Sequence, residues 1–172
     1  MPQKTRVYIP ATFDMLETLS KEGTLHARSG WAFSVTDTLR DFYSEGGDED
    51  EISYAAFQEA ALASIRLLAI GDDTFPHRRV VISADVNSDA VHPEPDMGES
   101  VVKLDPAEIT PDMLAALHVD IEESEDATKK AIEAIDAADL ADEDAELTVG
   151  DALDNFMAFY HPDELPFLVE LL

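Results

Sequence analysis

Residues 79–86 read Arg-Val-Val-Ile-Ser-Ala-Asp-Val and are the most β-branched run of this 172-residue chain. The run includes three consecutive apolar residues, Val80 to Ile82, where a strand with one solvated face would alternate apolar and polar residues. β-Branched residues favour strands, and a continuous apolar run is typical of a strand covered on both faces. The run therefore predicts a central strand in a sheet with helices packed on it.

The elements predicted around this strand indicate a mixed α/β fold. The strongest helical pattern covers residues 52–70, where apolar residues recur at steps of three and four before Gly71. That pattern predicts a buried helix face of Tyr54, Phe57, Ala61, Ile65 and Leu68. Further strands are predicted at 6–10, 31–35, 100–104, 117–121 and 155–160. We expect a single sheet of five or six strands with packed helices, in one domain spanning residues 1–172.

Two segments of the chain share a sequence pattern. Residues 12–19 and 110–117 share the pattern Thr-x-Asp-Met-Leu-x-x-Leu, and each copy follows a predicted strand. One interpretation is an internal duplication, with two β-α-β-α-β halves at about 5–86 and 99–161. The other is coincidence, because threonine commonly caps helices and aspartate is favoured in the first helical turn.

The charge of the chain is strongly negative and unevenly distributed. Its formal net charge is −27; residues 1–79 hold 13 acidic and 8 basic residues, and residues 80–172 hold 25 and 3. Such a field repels nucleic acid and anionic lipid and favours a basic protein as partner. Residues 120–154 are densest in acids, so the candidate partner surface is Glu122, Glu123, Asp142, Glu143 and Asp144. The alternative is a solvated helix face that keeps the protein soluble.

Composition narrows the class of protein further. The chain is 45% hydrophobic, which is too apolar for general disorder, and it has no cysteine for disulfides or thiolate chemistry. No run approaches the roughly 18 apolar residues of a membrane span. The first residues do not resemble a signal peptide, so we expect a cytoplasmic protein.

No recognisable catalytic or metal-binding motif is present. The five histidines lack His-x-x-x-His spacing, and there is no glycine-rich phosphate loop or Gly-x-Ser-x-Gly elbow. His92 and His161 each precede proline with acids nearby, a pattern that also describes ordinary solvated loops. The acidic runs 48–51 and 142–144 do not match a calcium-binding loop. We expect no cofactor and no metal, leave catalytic residues unassigned, and expect His118 to be a core histidine if its ring points inward.

Four stretches together resemble a family of uncharacterised actinobacterial proteins of about this length. The stretches are residues 6–12, 32–36, 79–86 and 160–166, and the similarity extends over most of the chain. The resemblance implies a small stand-alone cytoplasmic domain from an actinobacterium. It brings no activity, cofactor or site residue, because none is assigned to that family.

Three functions are compatible with these observations. The leading hypothesis is a non-enzymatic protein-interaction or regulatory domain, which the missing catalytic motifs and the acidic second half favour. The alternatives are an enzyme or small-ligand binder with a site built from separate loops, and a nucleic-acid mimic. A pocket with converging His, Arg or carboxylate side chains would favour a binding site. The apolar stretch 166–172 either packs back on the domain or forms part of a dimer contact.

Overall fold

The computed structural model describes residues 3–43, 47–71 and 76–171, which form a seven-stranded sheet with helices on both faces. The strand order is β5-β6-β3-β1-β4-β8-β9, and every neighbouring pair is antiparallel. A separate two-stranded sheet pairs β2 with β7. The strands are β1 (Lys4–Ala11), β2 (Leu25–His26), β3 (Trp31–Phe33), β4 (Val80–Asn87), β5 (Val91–Pro93), β6 (Val101–Leu104), β7 (Glu108–Ile109), β8 (Leu114–Asp120) and β9 (Met157–Tyr160).

Six α-helices lie in the described ranges. None of these helices combines the length and hydrophobicity that a membrane span requires. The helices are α1 (Phe13–Glu22), α2 (Asp37–Tyr43), α3 (Glu49–Gly71), α4 (Glu125–Asp139), α5 (Glu143–Leu153) and α6 (Leu165–Glu170).

The mixed α/β class is confirmed, but the predicted count of five or six strands is too low. All six predicted strands are present. The seventh strand of the main sheet is β5, although Pro93 and Pro95 predict a loop over residues 92–96. An edge strand needs hydrogen bonds on one side only, so it tolerates a residue that lacks an N–H group. Pro93 pairs with Val102 at that edge.

The second copy of the shared pattern, residues 110–117, does not form an α-helix. Thr12 caps α1, its hydroxyl accepting a hydrogen bond from the Met15 N–H group at 3.4 Å. Thr110 instead precedes a 3-10 turn, and β8 begins at Leu114 and pairs along β4. Pairing with a buried strand outweighs the local capping signal. The order β-α-β-α-β is therefore not repeated in residues 99–161, which have no α-helix before β8.

The run that predicted a central strand forms β4, which lies between β1 and β8. Val80, Val81 and Ile82 are fully buried. Val80 and Ile82 pack on one face with α1 and α6, and Val81 packs on the other face with α3. The apolar run therefore reflects helices on both faces, although the sheet is antiparallel.

The helices cover the two faces of the sheet unequally. On the second face, which Val81 faces, α3 lies over β3, β1 and β4, and α4 and α5 pack on α3. Ala56 and Ala60 are fully buried where α3 meets the sheet. Because α3 lies toward β1, part of the second face at β8 and β9 is left as an open groove.

The apolar stretch at the end of the chain packs back on the first face. Leu165 and Leu168 of α6 are buried in the cluster that includes α1, while Phe167 and Leu171 are exposed. Docking on the domain is thus observed for residues 165–170. Leu172 lies outside the described residues.

A buried ion pair joins Arg79, the residue before β4, to Asp120, the last residue of β8. The Arg79 guanidinium group donates hydrogen bonds to Asp120 through Nε and Nη2 at 2.7–3.2 Å, and Nη2 also donates to the Asn155 carbonyl oxygen at 3.0 Å. Asp120 Oδ2 further accepts from the Arg79 N–H group at 2.8 Å and the Thr128 hydroxyl at 3.1 Å. The side chains of the pair are 1% and 0% exposed. One network therefore connects β4, β8, α4 and the segment before β9.

Replacing Asp120 with alanine should destabilise the protein by about 3 kcal/mol or more, because it leaves the buried Arg79 charge without a counter-ion. The measurement is the free energy of unfolding from urea denaturation. The matched control is Asp139→Ala, which breaks an exposed arginine–carboxylate pair with Arg66 and should cost about 1 kcal/mol or less. Equal losses for the two variants would contradict a special role for the buried pair.

Candidate functional site

The groove on the second face has a volume of about 580 Å³ and lies between α3 and the strands β8 and β9. Strands of the sheet, the helix α3 and the segment before β9 all contribute aromatic rings to it. We call it the aromatic groove; its ring-bearing residues are Tyr8, Tyr54, Phe57, His118, Phe156 and Phe159.

Four of these rings form a continuous row across the groove. The rings of Tyr54 and Phe57 are stacked with centroids 6.2 Å apart, and Phe57 meets His118 edge-on at 4.8 Å. His118 in turn meets Phe159 edge-on at 6.0 Å. Tyr8 packs edge-on against Phe57 at 6.0 Å. Edge-to-face packing restricts the rings to defined positions, so the row is a preformed surface.

The row has two origins in the sequence. Tyr54 and Phe57 are three residues apart in α3, which places them on the same side of the helix. His118 and Phe159 are directly opposite each other in the antiparallel pair of β8 and β9. Opposite residues of paired strands point to the same face, so both rings face α3.

His118 lies at the centre of the groove and is neutral at physiological pH. Its Nε2 atom is 2.9 Å from the Ser83 hydroxyl oxygen on the neighbouring strand. Burial, with a smaller contribution from the positive charge of Arg6, lowers the pKa of His118 to about 4 from its ordinary value of 6.5. The ring is thus a polar group that carries no charge and can exchange a hydrogen bond with Ser83.

The charges lining the groove leave an excess of negative charge. The guanidinium group of Arg6 donates to both oxygens of Asp85 at 2.7 and 3.2 Å, and Arg79 is held by its own carboxylate below the groove. Asp50 and Asp154 also line the groove, and within the described residues neither forms a salt bridge. The two cations are therefore neutralised, while the two carboxylates are not.

A β-bulge shapes the floor of the groove. The pairing of β4 with β8 shifts between Ser83 and Ala84, whose partners are Ala116 and Leu114. Ala115 is the extra residue of the bulge, and it lines the groove. A bulge bends its strand and increases the local twist. It therefore bends the start of β8, next to Ser83.

The acidic residues selected from the sequence do not lie in this groove. Glu122 and Glu123 form a 3-10 turn before α4, and the other group, residues 142–144, follows the far end of that helix. The 15 residues of α4 separate the two groups by about 22 Å. Both groups are exposed. Asp142 also caps α5, its side chain accepting from the Ala145 N–H group at 2.9 Å.

The histidines that precede proline are not brought together with one another. His161 caps the 3-10 turn that follows β9, with Nδ1 accepting from the Asp163 N–H group at 3.1 Å. His92 belongs to β5 at the opposite edge of the sheet. In the parts of the chain that the structure describes, no group of three or more His, Asp or Glu side chains could hold a metal ion.

Most of the groove residues are not marked as a site in the sequence. The helical period predicts that Tyr54 and Phe57 are buried, but Tyr54 is 59% exposed and Phe57 is only partly buried. His118 was expected in the core if it pointed inward; it is partly buried and lines the groove. The only available signal was the number of aromatic residues in the predicted strand at 155–160, two of which are more than 60% exposed.

These features define a mixed α/β protein with an aromatic, negatively charged groove on one face of an antiparallel sheet. The chain belongs to a family of unknown function, DUF6912, whose family model matches residues 5–169. The resemblance to a family without an assigned function is thereby confirmed, and the actinobacterial origin stays a prediction. No curated protein and no solved structure matches the chain.

The ring of His118 should become protonated near pH 4, and this should make stability depend on pH. In the unfolded chain a histidine takes up its proton near pH 6.5, so between pH 6.5 and 4 the unfolded state binds more protons. The contribution of neutral His118 to stability is therefore complete above pH 6.5 and is lost as the pH falls towards 4.

NMR titration of the imidazole resonances measures this pKa directly. Urea unfolding of the wild type and of His118→Gln, which cannot be protonated, measures the linkage across the same pH range. We expect the wild type to lose stability relative to the variant as the pH falls. If the difference in unfolding free energy between the wild type and His118→Gln is the same at pH 6.5 and pH 4, the pKa of His118 in the folded state is not lowered.

Proposed function

We propose that this protein is a non-enzymatic interaction protein whose aromatic groove binds a basic and apolar segment of another protein. The observation that carries this proposal is the row of four rings beside the carboxylates of Asp50 and Asp154, which form no salt bridge with the residues that the structure describes. The structure thus offers apolar contact and negative charge at the same place. The acidic residues selected from the sequence lie elsewhere and supply the wider negative field.

The exposed rings favour a macromolecular partner. Tyr54, Phe156 and Phe159 are 59%, 67% and 63% exposed, although they are large and apolar. Clustered exposed aromatic residues mark interaction sites, and aromatic side chains are enriched at protein interfaces. The groove is also open along one side, as a segment of another chain would require.

The charges of the groove favour a basic segment. Aromatic faces attract lysine and arginine side chains, and Asp50 and Asp154 add carboxylates at the same site. The neutral ring of His118 does not repel a cation. The net charge of −27 attracts basic partners from a distance and slows the approach of acidic ones.

A seven-residue peptide in which lysine alternates with phenylalanine should bind to the wild-type protein, as measured by isothermal titration calorimetry. Phe159→Ala should weaken binding by about tenfold, because it removes one exposed ring from the row. Binding should also weaken as salt is added.

Two controls accompany this measurement. Phe167→Ala removes a ring of similar exposure from α6, on the opposite face of the sheet, and should leave the affinity unchanged. A peptide with glutamate in place of lysine should bind much more weakly. The proposal fails if neither peptide binds, or if Phe159→Ala and Phe167→Ala have the same effect.

One observation favours an enzyme as a second candidate. Ser83 and His118 are within hydrogen-bonding distance, as a nucleophile and its general base would be in acyl transfer. Two features oppose this interpretation. Ser83 is 2% exposed, and among the described residues no carboxylate forms a hydrogen bond with His118 to orient its ring. We therefore interpret the pair as part of the floor of the groove.

A fluorophosphonate reagent, which modifies activated serine hydroxyls, distinguishes the two roles of Ser83. We expect no modification of the folded protein by mass spectrometry, because the hydroxyl is buried and lacks an activated base. Stoichiometric labelling of the wild type that disappears in Ser83→Ala would establish a nucleophile and overturn the non-enzymatic assignment.

A further inference from the structure

The outer edge of β9 presents free backbone hydrogen-bonding groups. Neighbouring residues of a strand direct their N–H and C=O groups to opposite sides. The Asp120 N–H group donates to the Arg79 carbonyl oxygen at 3.0 Å, so this residue of β8 points toward β4. The preceding residue, Val119, therefore directs its backbone groups toward β9, where its partner is Ala158. Met157 and Phe159 must then direct their backbone groups away from β8, toward the open edge.

The two edges of the main sheet differ in how they are protected. At one edge, β5 contains Pro93, whose nitrogen cannot donate to another strand. At the other edge, β9 has the sequence Met-Ala-Phe-Tyr, with no proline and no charged residue. Natural edge strands usually carry one of these protections against pairing with another chain. In the described part of the protein, no strand lies beyond β9.

A strand added to β9 would extend the floor of the aromatic groove. Met157 and Phe159 have free backbone groups at the edge and side chains that line the groove. An added strand would lie about 4.8 Å beyond β9, and alternate side chains would point to the same face as Phe159. Backbone pairing would thus place partner side chains beside the aromatic row.

The charges around β9 indicate the chemistry of the added strand. Asp154 lies three residues before the strand, and Asp163 lies three residues after it with a side chain that is 94% exposed. A second copy of this chain would bring the same carboxylates and a further charge of −27 to the interface. Lysine or arginine side chains in the added strand would instead meet opposite charge at both ends.

We propose that the partner segment binds as an extended strand, paired with β9 as an eighth strand of the sheet and carrying alternating basic and apolar side chains. This inference rests on the proposed function of the aromatic groove and adds the mode of binding. It assigns backbone hydrogen bonds to Met157 and Phe159, and it assigns the apolar side chains of the segment to the groove.

The first test is amide hydrogen exchange measured by NMR with the peptide of alternating lysine and phenylalanine. In the free protein the amides of Met157 and Phe159 should exchange rapidly, because they have no strand beside them. Saturation with peptide should slow their exchange by about tenfold or more, as a new pair of hydrogen bonds forms. Unchanged exchange of both amides in the bound state would overturn strand addition.

The second test removes backbone hydrogen bonds and controls separately for the loss of side chains. N-methylation of the peptide at alternate residues blocks one edge of its backbone, so one of the two possible methylation registers should weaken binding by about tenfold. On the protein, Met157→Pro removes an outward N–H group, and Met157→Ala removes the same side chain but keeps that group. Met157→Pro should bind the peptide more weakly than Met157→Ala, provided that both variants keep the wild-type circular dichroism spectrum. If the proline variant is unfolded, the binding of the methylated peptides alone tests strand addition.

The outcomes separate this inference from the function on which it rests. A peptide that does not bind at all overturns both. A peptide that binds, responds to Phe159→Ala and is indifferent to N-methylation supports the groove and overturns strand addition. Slow exchange of Met157 and Phe159 in the free protein, together with a dimer in sedimentation, would assign the edge to a second copy and overturn the basic partner.

Discussion

The buried ion pair of Arg79 and Asp120 is the interaction on which the position of the groove depends. Removing both charges from water is costly, and the hydrogen bonds around them offset that cost. Because the guanidinium group also binds the Asn155 carbonyl oxygen, the segment that leads into β9 is held against β4 and β8. Thr128 adds a contact from α4. The segment at Asn155 and Phe156, which lines one end of the groove, is thus held in place by a buried ion pair.

Incomplete covering of the second face then creates the groove itself. The helix α3 sits over β3, β1 and β4, with alanines at its closest approach. The strands β8 and β9 continue past this cover, so Phe159 stays exposed and His118 is only partly buried. Tyr54 and Phe57 extend from the flank of α3 toward these strands. A site between a helix and an uncovered part of a sheet needs no dedicated loops, which explains why sequence motifs did not reveal it.

The sequence predicts secondary structure best where the side chains of an element are fully buried. The apolar run in β4 predicts that helices cover both faces of the strand, and in the structure helices bury the run on both faces. The predicted strands β1 and β8 are also buried over more than half of their residues, whereas β9 has no fully buried residue. Thr110 shows the limit of local signals, because a good cap and proline precede a strand that pairing with β4 stabilises. β5 shows a second limit, since pairing at an edge accommodates a proline that would exclude an interior strand.

The candidate site was less accessible to prediction than the fold. Periodicity assigns Tyr54 to the buried side of a helix, but it does not tell how far along the sheet that helix extends. The approach of His118 to Phe57 joins residues 61 positions apart, and the opposition of His118 and Phe159 requires the register of two strands. The sequence contains many acidic residues, but it does not distinguish an acid that caps a helix, as Asp142 does, from an acid that contacts a partner.

The central place of β1 has a consequence for how the chain acquires its structure. β1 pairs with β4 from Lys4 opposite Asn87 to Ala11 opposite Val80, so its longest pairing partner is synthesised about 70 residues later. During translation, Val7 and Ile9 leave the ribosome well before the strand that buries them. Contacts between segments far apart in sequence slow folding, and an apolar strand without its partner is prone to aggregate. The early part of the chain therefore lacks the longest pairing partner of β1 until residue 87 has emerged.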